Sequence, residues 1–140
     1  MSRVALRPRL LLALALGLLA MGCGKFREIS ACRSLAREVN GAMDEIETLS
    51  KAKPLDEPRI AQRYATLARA LQPRAQGESP LAVAVRDYIA VLQATDAALK
   101  THATALKTQY GKVNEPRREL DRLVKRERAA TARIDVECEH

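Results

Sequence analysis

The sequence predicts an all-α protein, an up-down antiparallel bundle of four helices behind an N-terminal signal helix. Three observations point there. Ala, Leu, Arg and Glu dominate, and all are strong helix formers. No window alternates Val, Ile or aromatic residues with polar ones at the period of a half-buried strand. Apolar residues instead recur three and four apart, in stretches divided by proline- and glycine-containing breaks.

The first helix of the bundle is expected from about Ile29 to Lys51, with Cys32, Leu35, Val39, Ala42, Ile46 and Leu49 on one stripe. That spacing keeps a single face toward a partner helix. Asn40-Gly41 is a turn signal inside it, but the stripe passes through without a change of phase. One helix carrying a glycine at a cost of ~1 kcal/mol is therefore expected. The segment Lys53-Pro54-Leu55-Asp56-Glu57-Pro58 is the first clear interruption. Asp56 suits an N-cap, Glu57 the positive end of a helix dipole, and Pro58 a first turn. A second helix follows to about Gln72 on the stripe Ile60, Tyr64, Leu67 and Leu71.

Pro73 to Pro80 reads as a loop by composition, and Ser79 with Pro80 reads as the start of a long third helix. Its stripe is Leu81, Val85, Tyr88, Leu92, Thr95, Leu99, His102, Leu106 and Gln109 or Tyr110, and Gly111 is its C-terminal stop. Asn114-Glu115-Pro116 repeats the capping pattern, and a fourth helix runs to about Val136. Leu120, Val124, Glu127, Thr131, Ile134 and Cys138 are in phase along it, a thin stripe interrupted by polar groups. The likeness of Asp56-Glu57-Pro58-Arg59 to Asn114-Glu115-Pro116-Arg117 is shared capping chemistry. Shifting the second helix's stripe by the same offset lands on Arg118, Arg122, Lys125 and Ala129, which is the wrong face for a repeat. Short connections favour antiparallel neighbours, so both chain ends are expected at one end of the bundle.

Ahead of the bundle, Arg3, Arg7 and Arg9 precede Leu10 to Met21, twelve residues without a charge. Continuing through Gly24 gives fifteen residues before Lys25, Arg27 and Glu28, short of the ~20 that a spanning helix needs. A positive flank, a short apolar core and small residues at its end describe a secretory signal. Ala20-Met21-Gly22-Cys23 closes it. This tetrapeptide resembles the lipobox of bacterial lipoproteins, with Gly22 fitting well before the cysteine and Ala20 standing where the family usually has Leu. The resemblance covers only the first two dozen residues. It implies lipid on the Cys23 thiol and cleavage that leaves Cys23 first. It also implies three acyl chains, enough for a persistent membrane anchor. In enteric lipoproteins Asp after the cysteine retains the protein at the inner membrane. Gly24 stands there instead, so the resemblance favours the outer membrane.

The domain plan that follows is a signal peptide over residues 1–22, a short tether over 23–28 and one helical domain over 29–140. Losing the signal removes three arginines and lowers the formal charge from +7 to +4. A mildly basic, exported chain with only Phe26, Tyr64, Tyr88 and Tyr110 for aromatics is a poor candidate for nucleic-acid binding. With Cys23 taken by lipid, Cys32 and Cys138 remain as an even pair in an oxidising compartment. A structural disulfide is favoured over a reactive thiol or metal ligand, since there is no C-x-x-C and no His near Cys32. The up-down topology independently brings the start of the first helix to the end of the fourth. Such a bond would close a loop of about 107 residues, worth at most ~4–5 kcal/mol by chain entropy.

Catalytic signals are weak. His102 lies between Leu99 and Leu106 on the third stripe and reads as a half-buried structural histidine, with Asp96 and Lys100 on other faces. Cys138-Glu139-His140 has too few ligands for a structural metal, and no phosphate loop, G-x-S-x-G or H-E-x-x-H occurs. Neither an enzyme nor a cofactor is expected. Lys112 to Arg133 holds eight basic residues against four acids. That surface suits an acidic protein or an acidic envelope component as partner, or is simply solvated and laced with helix pairs. The sequence thus points to a lipid-anchored periplasmic scaffold or protein-interaction module. The alternative is a small ligand- or peptide-binding module that uses the core beside the third helix.

Overall fold

The computed structural model describes residues 8–108 and 114–139, with side chains from Arg27 onward. Four α-helices follow in order: α1 (Pro8–Lys51), α2 (Glu57–Leu71), α3 (Pro80–Thr108) and α4 (Asn114–Glu139). One turn of 3-10 helix, Gln72–Ala75, extends α2, and no strand occurs among the described residues. The all-α architecture is as the sequence predicts. Among the described residues, no helix is long and apolar enough to cross a membrane.

The chain divides into two compact units, Met1–Ala36 and Arg37–His140. The first unit is helical from Pro8. Residues 23–28, expected as a tether, have helical backbone, and the side chain of Cys23 lies outside the described residues. Leu35 is buried.

The second unit is the bundle. Its first helix, Arg37 to Lys51 of α1, continues through Gly41 without a break, as the uninterrupted stripe required. A Cβ at Gly41 would meet nothing, so this glycine is a tolerated surface residue. Val39, Ala42 and Ile46 are buried and Leu49 is half-buried. Asp56 caps α2 as expected, its Oδ1 accepting from the Arg59 backbone N–H at 3.1 Å. Ile60, Tyr64, Leu67 and Leu71 are all buried, so this stripe was read correctly. Ser79 likewise caps α3 by accepting from the Ala82 N–H at 3.1 Å. Between these helices Gly77 has φ of +91°, a left-handed conformation open to glycine at little cost. The Arg86 guanidinium fastens the turn by donating to the carbonyls of Ala75 and Gly77 at 3.1 and 2.8 Å.

Pairs between helices fix their directions. Glu38 meets Arg74 at 3.1 Å and Glu45 meets Arg63 at 2.6 Å, so numbering rises along α1 as it falls along α2. Glu57 at the start of α2 meets His102 near the end of α3, and Asp87 near the start of α3 pairs with Arg133 near the end of α4. The run is up, down, up, down, with α3 packed against both α2 and α4.

That central place corrects the reading of α3. A helix with two neighbours buries a broad face, and Ala82, Ala84, Ile89 and Val91 are buried beside Val85, Tyr88, Leu92 and Thr95. Leu81, Leu99 and His102 are only half-buried and Leu106 is exposed, so the stripe fades toward the C-terminal half. Gln109, Tyr110 and Gly111 lie outside the described residues. The stripe of α4 is also rotated from the one expected. Leu123 is 1 % exposed and Val124 44 %, so Leu123, Ala130 and Ile134 face the core. Glu127, Thr131 and Cys138 are half-buried beside them.

Candidate functional site

Three polar groups interrupt the apolar stripes of α2, α3 and α4 where these helices converge. Tyr64 comes from α2, Tyr88 from α3 and Glu127 from α4, and all are drawn into one cluster because each occupies a core-facing position. The Tyr64 hydroxyl is 3.5 Å from Glu127 Oε2, the outer limit for a hydrogen bond. The Thr131 hydroxyl, one turn along α4, donates to the Glu127 backbone carbonyl at 2.9 Å. Tyr88 is completely buried, and its hydroxyl has no hydrogen-bond partner among the described residues.

These groups line a cavity of about 510 Å³. Val39 and Met43 of α1 and Val124 of α4 supply its apolar wall, with Arg128 and Asp135 among its charged lining. It opens to solvent along the exposed Asn40, Val124, Arg128, Ala132 and Asp135, and it combines an apolar wall with a few convergent polar groups, the usual composition of a small-molecule site.

The electrostatics follow from burial without compensation. Loss of water pushes the Glu127 carboxyl above the usual carboxylate range, and the Tyr64 hydroxyl pulls only partly the other way. Burial likewise pushes both tyrosines above the ordinary phenol range, with the Glu127 charge adding to each. The nearby Thr131 hydroxyl opposes the shift of Tyr88, although its hydrogen bond goes to the Glu127 carbonyl and none of full geometry reaches the phenol. No basic side chain pairs with Glu127 in these contacts, so its charge is stabilised chiefly by the long contact to Tyr64. The cluster was not assembled from sequence. Its signal was the polar character of Glu127 and Thr131 in an otherwise apolar stripe, at the height of tyrosines on two other helices.

A second polar contact lies elsewhere in the bundle. His102 Nδ1 is 2.8 Å from both carboxylate oxygens of Glu57. His102 is half-buried, as expected, and Glu57 stands in the first turn of α2, as expected. The sequence did not show that Glu57 is also buried and paired across to α3, since the first turn of α2 turns its carboxylate inward. Asp96 does lie elsewhere, accepting from Lys100 at 2.8 Å.

Among the described residues no three His, Cys, Asp or Glu side chains gather to hold a metal ion. Cys32 and Cys138 are both disulfide-bonded. The basic stretch of α4 is solvent-facing, with Arg117, Arg118, Arg122, Lys125, Arg126, Arg128 and Arg133 all exposed. Arg122 is paired with Glu119 at 3.0 Å and Arg133 with Asp87, so part of the surface is laced as expected. Lys112 and His140 lie outside the described residues.

The chain matches no protein-family model and no curated protein, and its structure matches no solved one.

Proposed function

We propose that this chain is an exported bacterial envelope protein, anchored by lipid on Cys23 to the periplasmic face of the outer membrane. Its helical bundle acts by binding, as a non-enzymatic scaffold or protein-interaction module, and the basic surface of α4 is the natural place for an acidic partner. The observation that carries the address is Gly22-Cys23 at the end of a charge-flanked apolar run too short to span a bilayer. The disulfide-bonded state of Cys32 and Cys138 supports it, because such bonds persist in oxidising compartments. Pairing of these two cysteines with each other belongs to the same reading, and peptide mapping of the non-reduced chain tests it.

Metabolic labelling with a fatty acid tests the anchor. The wild-type chain incorporates label and fractionates with membranes, and Cys23→Ser does neither. Equal labelling of the two overturns the assignment. A second reading, a small-ligand-binding envelope protein, is favoured by one observation: the cavity holding Tyr64, Tyr88 and Glu127. It shares the address and differs only in what the bundle binds.

A further inference from the structure

We infer that the cavity between α1, α2, α3 and α4 is a binding site for a small primary amine, taken up as its ammonium ion with a short alkyl chain. The inference rests on the small-ligand reading above and gives it a chemical class.

Four observations converge on that class. Glu127 places a half-buried carboxylate on the cavity wall with no ion pair to a basic side chain among the described residues, and an ammonium ion supplies the missing counter-charge. Tyr88 lines the cavity, and its hydroxyl, closed to solvent, has the Thr131 hydroxyl near it but no hydrogen bond of full geometry among the described residues, so its oxygen accepts from a ligand only once the cavity wall gives way. Such a group costs stability unless something completes it. The Tyr64 hydroxyl is held only loosely by Glu127, at 3.5 Å, and is a further acceptor. A primary ammonium carries three N–H donors, which match the Glu127 carboxylate and the two phenol oxygens. Val39, Met43 and Val124 then offer an apolar wall for the carbon chain. The remaining charged groups on the lining, Arg128 and Asp135, are opposite in sign, so Glu127 leaves the site with a net negative charge. An anionic ligand would meet the Glu127 charge, and a neutral alcohol would leave that charge uncompensated.

Backbone amide NMR of the full chain in detergent tests the assignment, with butylammonium as probe and 1-butanol and butyrate as comparators of similar length. Butylammonium is expected to shift the amides around Tyr64, Tyr88, Glu127 and Thr131 saturably, and to bind about tenfold or more tighter than 1-butanol. Glu127→Gln, which keeps the shape and removes the charge, weakens butylammonium by a similar factor and leaves 1-butanol unchanged. Ala132→Phe, at an exposed lining position, obstructs the cavity without touching the carboxylate and abolishes binding of both. If 1-butanol binds the same residues as tightly as butylammonium, the amine assignment falls while the small-ligand reading stands. If none of the three probes shifts these amides, both fall.

Discussion

His102 Nδ1 of α3 sits 2.8 Å from each carboxylate oxygen of Glu57, the first residue of α2. The carboxylate can only accept, so Nδ1 carries the proton and donates. The contact joins residues 45 apart in sequence and fastens the start of one helix to the end of its antiparallel neighbour.

His102→Ala leaves the Glu57 carboxylate buried without that donor. The expected loss is about 1–3 kcal/mol, the range for a buried group deprived of its partner. Glu57→Gln loses less, since an amide oxygen still accepts. Urea denaturation of the single and double variants measures the coupling. A coupling near zero would show that the two groups are neighbours without being partners.

Asp56→Ala removes the side-chain oxygen that accepts from the Arg59 N–H at the start of α2. The expected cost is about 1 kcal/mol. Asp56→Asn retains an acceptor and recovers most of it. Thermal unfolding of the three chains distinguishes a capping role from a general effect of charge.

The parts of the fold written locally were legible in the sequence. Asp56 and Ser79 announced their helices because a cap needs only a side-chain oxygen and a backbone N–H three residues on. The stripe of α2 was legible in its large residues, Ile60, Tyr64, Leu67 and Leu71, while Ala61 and Ala68, buried beside them, carried no such signal. Two features depend on the assembled bundle and were not. α3 buries Ala82, Ala84, Ile89 and Val91 because it has helices on two sides, and alanine on its own signals helix rather than core. Of the candidate site, Glu127 and Thr131 were visible as polar residues out of place, but only tertiary packing sets Tyr64 and Tyr88 beside them. The contact of Glu57 with His102 was not foreseen, because an acid in a first turn has a sufficient local explanation that says nothing of a histidine on another helix.

Glu127 makes the bundle's stability depend on pH in a definite direction. Its carboxyl is raised above the ordinary value of 4.5 by burial, so between the two values the folded chain holds more protons than the unfolded one. Its contribution is therefore fully present below the ordinary value and is lost as pH rises through the raised one. Glu127→Gln, permanently neutral, should match wild type at about pH 4 and exceed it in stability at about pH 7. The difference between their urea midpoints across this range cancels the other carboxylates. A difference that does not change with pH would show that Glu127 is not desolvated.

Tyr88→Phe removes a buried hydroxyl that has no hydrogen-bond partner among the described residues. Deleting an unsatisfied polar group relieves its desolvation cost, so this variant should be as stable as wild type or more so, by up to about 1 kcal/mol. The same change should weaken butylammonium binding. Stability gained together with affinity lost would identify the hydroxyl as a group kept for a ligand. A substantial destabilisation would show instead that it already has a structural partner.

The adjacent pair Leu123 and Val124 decides which way α4 faces. Sequence spacing placed Val124 in the core, while the folded chain buries Leu123 and leaves Val124 44 % exposed. With Leu120, Leu123 and Val124 all apolar, the pattern permits either rotation. The choice is made further along, where Ala130 and Ile134, seven and eleven residues on, lie in phase with Leu123. Leu123→Ala should cost about 2–5 kcal/mol through lost burial and the cavity left behind, whereas Val124→Ala should cost well under that, about 0.5 kcal/mol. Paired urea denaturation curves measure both. Equal losses, or a larger loss at Val124, would return α4 to the rotation that sequence spacing alone suggests and move Glu127 relative to the tyrosines.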